Sequence, residues 1–191
     1  MEEGLFYPSN KTDIFDGVSF NKHQERLFDS PLDISLSLFV DAFKPFKRTK
    51  ISLTIVHLII LNLPREIRYL ESNMIQVAIL PCNPKKAALH HLLSPLIKEL
   101  KQLESSGMHI VGSDGAEFTV KAHLLIASGD IVGVTDLCNH SGHSSIFGCR
   151  ICPIETTCLL SPKGKGYGRY FLGPNLLPKN RKAKDFKDGD P

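Results

Sequence analysis

The apolar residues of this chain change their period once, between Leu80 and Leu89, and that change constrains the fold more than any other feature. Three runs before it read as strands. Ile34 to Val40 alternates and then turns solidly apolar. Ile51 to Leu61 is rich in β-branched residues and is stopped by Pro64. Met74 to Leu80 is closed by Pro81 and Pro84. After the change, Leu89, Leu92, Leu93, Leu96, Ile97, Leu100 and Leu103 form one stripe over about four helical turns. Ser94-Pro95 inside it is a good N-cap and first-turn pair, so the stripe is read as one kinked helix or two abutting ones. His109 to Val111 and Phe118 to Val120, around Ser113-Asp114-Gly115, read as a hairpin. Ala122 to Ala127 is a further apolar run, strand or helix, ahead of Ser128-Gly129-Asp130, and Ile131 to Leu137 reads as a short helix.

This order predicts an α/β fold with a ribonuclease H-like mixed sheet. Its parts are an antiparallel three-strand meander, a crossover helix, a hairpin and a strand parallel to the first. In that plan the first strand and the strand after the crossover are neighbours. Asp41 and Asp130 each follow an apolar segment, so they are expected at adjacent strand ends although 89 positions separate them. Asp41 leads into a turn with Pro45 and four cations, Lys44, Lys47, Arg48 and Lys50, which would suit a phosphate backbone. The plain alternative is an acid capping a strand and a solvated basic turn.

The 191 residues suffice for one domain, or one domain with a tail. The net charge of +3 is uneven: residues 1–162 carry 15 Lys and Arg against 17 Asp and Glu, and residues 163–191 carry 8 against 3. The body is therefore not a basic nucleic-acid binder as a whole. The organisation read from these shifts is an irregular segment over 1–33 with a short helix around Lys22 to Phe28, a core over 34–160, and a basic, flexible tail over 161–191. The N-terminus lacks the basic and apolar regions of a signal peptide, which points to an intracellular protein. The longest apolar stretch is too short and too polar to span a bilayer, so no membrane partner is expected.

Five cysteines without a secretory signal argue for a reducing compartment and for metal ligation. Cys138, His140, His143, Cys149, Cys152 and Cys158 lie close in sequence, and Cys149-x-x-Cys152 has the spacing of half a tetrahedral Zn²⁺ site. Cys138 and His143 could complete it, with His140 or Cys158 as substitutes. The alternative is a His143 packed in the core and reduced thiols. His90-His91 reads as a surface pair and His123 as a core residue.

Several segments, in this order, resemble CACTA-type (En/Spm-like) transposases: Leu38-Phe-Val-Asp-Ala-Phe-Lys-Pro-Phe46, Ile59-Ile-Leu-Asn-Leu-Pro-Arg-Glu-Ile-Arg-Tyr69, Leu92-Leu-Ser-Pro-Leu96, Ala127-Ser-Gly-Asp130, Ser141-Gly-His143 and Gly148-Cys-Arg-Ile-Cys152. The likeness spans about residues 14–160. It implies a cut-and-paste DNA transposase whose partners are transposon ends, working in the nucleus, with an oligomer possible in intact relatives. It also implies three acids, Asp, Asp and Glu, holding Mg²⁺ or Mn²⁺, with Asp41 as the first and Asp130 as the second. The chain has Ala42 where the family has Gly. The third acid is expected far downstream, and the chain ends about 60 residues past Asp130. The candidates within it are Asp136, Glu155, Asp185, Asp188 and Asp190. The chain is therefore expected to be an incomplete catalytic core, inactive alone. Two other readings are a non-catalytic DNA-binding or zinc-stabilised module, and a relic with apolar sheet surface left open.

Overall fold

The computed structural model of the chain describes residues 12–48, 50–160, 166–171, 179–182 and 184–186. Most of the tail expectation, including Asp188 and Asp190, lies outside the described residues, as do residues 1–11. The elements are α1 (Val18–Leu27), β1 (Ile34–Phe43), β2 (Leu53–Ile60), β3 (Met74–Leu80), α2 (Lys86–Ser105), β4 (Met108–Val111), β5 (Glu117–Val120), β6 (Ala122–Gly129), α3 (Ile131–Leu137), β7 (Thr157–Leu160) and β8 (Tyr167–Tyr170). The protein is a mixed α/β structure around a four-stranded sheet of order β3-β2-β1-β6. β1, β2 and β3 form an antiparallel meander, and β6 runs parallel to β1. The pairs β4-β5 and β7-β8 are separate two-stranded sheets. Among the described residues no helix is long and apolar enough to cross a membrane.

Side chains alternate across a strand, and β1 uses that to build the core. Leu36, Leu38 and Val40 join Val56 and Leu58 of β2 and Leu89, Leu93 and Leu100 of α2 in one buried cluster. The helix runs through Pro95, so of the two readings, one helix or two abutting ones, the single helix holds. Interior proline costs about 3 kcal/mol. Burying a leucine stabilises by about 2 kcal/mol, and three fully buried leucines lie on both sides of the proline. The carbonyl that Pro95 leaves without a donor belongs to exposed His91, where water can reach it.

The run that sequence left as strand or helix is β6. Its register with β1 shifts between Leu36 and Ser37: Leu36 pairs with Leu124, but Ser37 pairs with Ile126. The extra residue, Leu125, is a bulge. It puts Leu124 and Ala127 on one face, lining the same cavity as Leu38 and Leu93, and it brings Gly129 opposite Val40. The other face of the sheet carries Asp41, Phe43, Ile79 and Ile126 by the same alternation, and those three apolar side chains are exposed.

The N-terminal segment, which offers no core by itself, borrows one. Phe15, Phe20 and Phe28 pack in sequence with their rings edge-on or tilted, and Phe28 meets the ring of buried His123 on β6 edge-on at 5.0 Å. Buried Asp33 stitches the starts of β1 and β6 together, accepting from the backbone N–H groups of Asp29 and Ser30 with one oxygen and of Lys121 with the other. Burial would raise its carboxyl, but those three donors and the charge of His123 outweigh burial and hold it below the usual range. Asn62 accepts from Ser35 N–H and donates to the Asp33 carbonyl. Arg68, 3% exposed, grips Asp13 with two hydrogen bonds of 3.1 and 2.8 Å and also donates to the carbonyls of Leu61 and Leu63.

Candidate metal and nucleic-acid site

The pairing Val40↔Gly129 is the last of the parallel β1–β6 ladder; next come Asp41, not at the end of β1 as expected but two residues before it and paired with Ile55, and Asp130, just past β6. Two close approaches hold the tips together. A Cβ added to Gly129 would lie 2.3 Å from the Val40 carbonyl oxygen, so the strands meet there only because the residue is glycine. A Cβ on Gly133, in the first turn of α3, would lie 3.1 Å from both that oxygen and Asp130 Oδ1. The two oxygens are therefore no more than about 6 Å apart, which brings the Asp130 carboxylate close to the peptide that leads into Asp41.

Asp130 is the N-cap of α3, and its Oδ1 accepts from Gly133 N–H. It has extended backbone and is exposed. Asp41 is half-buried. Among the described residues neither carboxylate enters an ion pair. Carboxylate oxygens are the ligand class that Mg²⁺ and Mn²⁺ take. Asp41 and Asp130 thus each offer the donor class that a divalent ion takes, on neighbouring elements of the fold.

Asp130 also borders a cleft on the α2 side, with Val40, Ala42, Thr54, Lys85 and Asp136. Among the described residues Asp136 is the one third-acid candidate that borders this cleft, and its Oδ2 is taken by Lys85 at 3.0 Å. Glu155 is exposed, and Asp185 accepts from its own turn at Lys182 N–H. His90, read as a surface pair with His91, is exposed, and its Nε2 meets the carbonyls of Asp136 and Leu137, fastening α3 to α2.

The basic turn lies on the same end of the sheet, since it connects β1 to β2. Lys44, Lys47, Arg48 and Lys50 are all exposed and enter no ion pair among the described residues. Exposed Phe46 stands among them.

The cysteines are brought together only in part. Cys149 and Cys152 lie with their Sγ atoms 3.5 Å apart. Burial pushes the Cys149 thiol up, but the N–H groups of Ile151 and Cys152, the Cys152 thiol and the charge of Arg181 prevail and lower it. Burial and the neighbouring thiol raise Cys152. Cys138 is half-buried, Cys158 is exposed on β7, and buried His140 accepts from Gly142 N–H through Nδ1. Among the described residues no three His, Cys, Asp or Glu side chains converge as a metal site. The set Cys138, His143, Cys149 and Cys152 is not assembled, and two thiols make only half of a Zn²⁺ site. What closes the knuckle instead is Arg181, read from sequence as part of the tail. It donates to the carbonyls of Cys149 and Phe147, and its own N–H donates to Ile151.

Sequence reasoning expected Asp41 and Asp130 at adjacent strand ends but missed the glycine spacing around Asp130. Glycines four apart, Gly129 and Gly133, flank Asp130 on the helix start, and that was the available signal. The family model described as transposase family tnp2 matches residues 9–187. A comparison with curated proteins finds no match.

Proposed function

Because the chain belongs to the transposase family tnp2, we propose that it supplies part of a DNA-transposing catalytic core, of ribonuclease H-like plan and CACTA (En/Spm-like) type, acting on DNA in the nucleus. One observation carries this reading: β1 and β6 run side by side in parallel and their pairing ends at Val40↔Gly129, so two acids remote in sequence each follow a member of the last pair. Asp41 and Asp130 would hold Mg²⁺ or Mn²⁺. When bound, such ions stabilise the attacking and leaving oxygens of an in-line displacement at phosphorus.

The chain's own residues contribute position and charge. The Gly129 contact fixes the tips, the α3 N-cap fixes one oxygen of Asp130, and the cations at Lys44, Lys47, Arg48 and Lys50 would draw a phosphate backbone toward the same end of the sheet. The alternative, a module that binds DNA without cutting it, uses the same basic turn and needs no metal.

Mn²⁺ binding followed by electron paramagnetic resonance separates the two. Asp41→Asn and Asp130→Asn are each expected to weaken Mn²⁺ binding by about tenfold or more. Asp136→Asn should leave it unchanged, because Lys85 holds that carboxylate. Mn²⁺ affinity indifferent to Asp41 and Asp130 would leave only the non-cutting module. Among the described residues no third carboxylate free of a cation joins these two, so the 191-residue chain is expected not to nick supercoiled DNA in Mg²⁺ or Mn²⁺. Cleavage that depends on Asp41 would mean that a third ligand lies within these residues.

A further inference from the structure

We propose that the face of the β7–β8 hairpin bearing Tyr167 and Arg169 is a binding site for unpaired DNA, receiving bases on its aromatic rings and phosphates on its arginine. The proposal rests on the reading above that the chain works on DNA, and it names a surface and a strand state which that reading does not.

The hairpin keeps almost nothing buried. All four residues of β7 are exposed, Tyr167 is 78% exposed, and Leu160 and Phe171 are exposed with it. A lone two-stranded ribbon is marginal in water. This one is held at its root by buried Thr156, whose hydroxyl donates to the carbonyls of Ser145 and Ile146. Leu160 pairs with Tyr167 and Cys158 with Arg169, so Tyr167 and Arg169 share one face. Phe171, immediately past β8, continues that alternation. Tyr170 belongs to the opposite face, and its ring lies over Gly168, where an added Cβ would come within 3.0 Å of it.

The open face therefore reads aromatic, cation, aromatic. Residues two apart along a strand are separated by about 6.6 Å, room for one splayed base per ring with the guanidinium between them. Aromatic rings and interleaved cations are the elements of single-strand recognition, because every unpaired base offers a flat face to stack on. Paired bases hide those faces inside the duplex. The charge of the segment fixes the sign of its partner: between Glu155 and Asp185 there are seven Lys and Arg and no acid, which calls for a polyanion.

The test measures anisotropy of labelled DNA of about 15 nucleotides, single-stranded and duplex, with the whole chain. Vesicles containing phosphatidylserine serve as a third arm. Tyr167→Ala is expected to weaken single-strand binding by about tenfold while leaving duplex binding within about twofold, and Tyr167→Phe should restore it. Arg169→Ala should weaken both DNA forms and lower the salt slope for the single strand by about 0.7. Both side chains are exposed, so the variants should keep the wild-type thermal transition. Unchanged single-strand affinity in Tyr167→Ala, or equal losses on both DNA forms, would overturn the proposal, as would a Tyr167-dependent affinity confined to vesicles. If duplex binding falls in a Lys47→Ala, Arg48→Ala variant while the hairpin variants bind both DNA forms as wild type, this site is wrong and the DNA reading stands. If the wild-type chain binds neither form, both are wrong.

Discussion

Gly129→Ala is expected to destabilise the protein by about 3 kcal/mol and to abolish Mn²⁺ binding with it. The added methyl would lie 2.3 Å from the Val40 carbonyl oxygen and 3.6 Å from Val134 Cγ2. The first distance is far inside van der Waals contact, and its partner is backbone, not the end of a flexible side chain. Val40 cannot retreat, because β1 is hydrogen-bonded on one side to β2 and on the other to β6. Relief therefore requires the β1–β6 tips to part, and those are the tips that carry Asp41 and Asp130. Gly133→Ala should cost less, since its methyl would sit 3.1 Å from the movable Asp130 oxygen as well as from the carbonyl. Urea midpoints of the two variants at neutral pH measure the difference. A Gly129→Ala protein as stable as wild type would mean that the strands do not approach as described.

Arg68→Ala is expected to cost about 4 kcal/mol, a large share of the stability of an ordinary domain. Arg68 is buried and spends its guanidinium on Asp13 and on the carbonyls of Leu61 and Leu63. Removing it leaves a partly buried carboxylate and two carbonyls without their donor, and it frees the segment before α1 from the loop after β2. The hydrogen bonds to Arg68 hold the Asp13 carboxyl below its ordinary value, and Asp13 in turn raises Arg68. The sign follows from that direction. A depressed carboxyl stabilises the fold above its unfolded value near 3.8, and the stability is lost as pH falls through the lower folded value. Asp33 is depressed as well and adds to the same acid window. The wild-type urea midpoint should therefore drop steeply below about pH 4. Arg68→Ala should start lower and drop less, keeping the share that belongs to Asp33. A variant with the wild-type midpoint at pH 7 would show that the pair is not formed.

Elements bounded by local chemistry were legible in the chain. Prolines close β3 at Leu80, the turn at Ser113-Asp114-Gly115 sets β4 and β5, and the leucine stripe marks α2. The neighbouring placement of Asp41 and Asp130 was legible because three strands and one crossover leave few ways to close a sheet. Features that depend on partners distant in sequence were not. Nothing around Asp13 or Arg68 reveals that they pair across 55 positions, nor that Asp33 takes a donor from Lys121. The bulge at Leu125 breaks the alternation that would have marked β6 as a strand. Pro95 looked like a helix start because the burial that overrides it lies on both sides of it. β8 fell in the segment read as a basic, flexible tail and β7 was not read as a strand, since both are short and have no buried face to give them a period.

The central claim is that Asp41 and Asp130 converge on one divalent ion. Fe²⁺ substituted into that position, with ascorbate and peroxide, cuts the polypeptide beside the bound ion. The account predicts two clusters of cuts, one around residue 41 and one around residue 130, both suppressed by excess Mg²⁺ and both lost together in Asp41→Asn. Cuts at only one of the two tips, or cuts at both that survive Asp41→Asn, would contradict it.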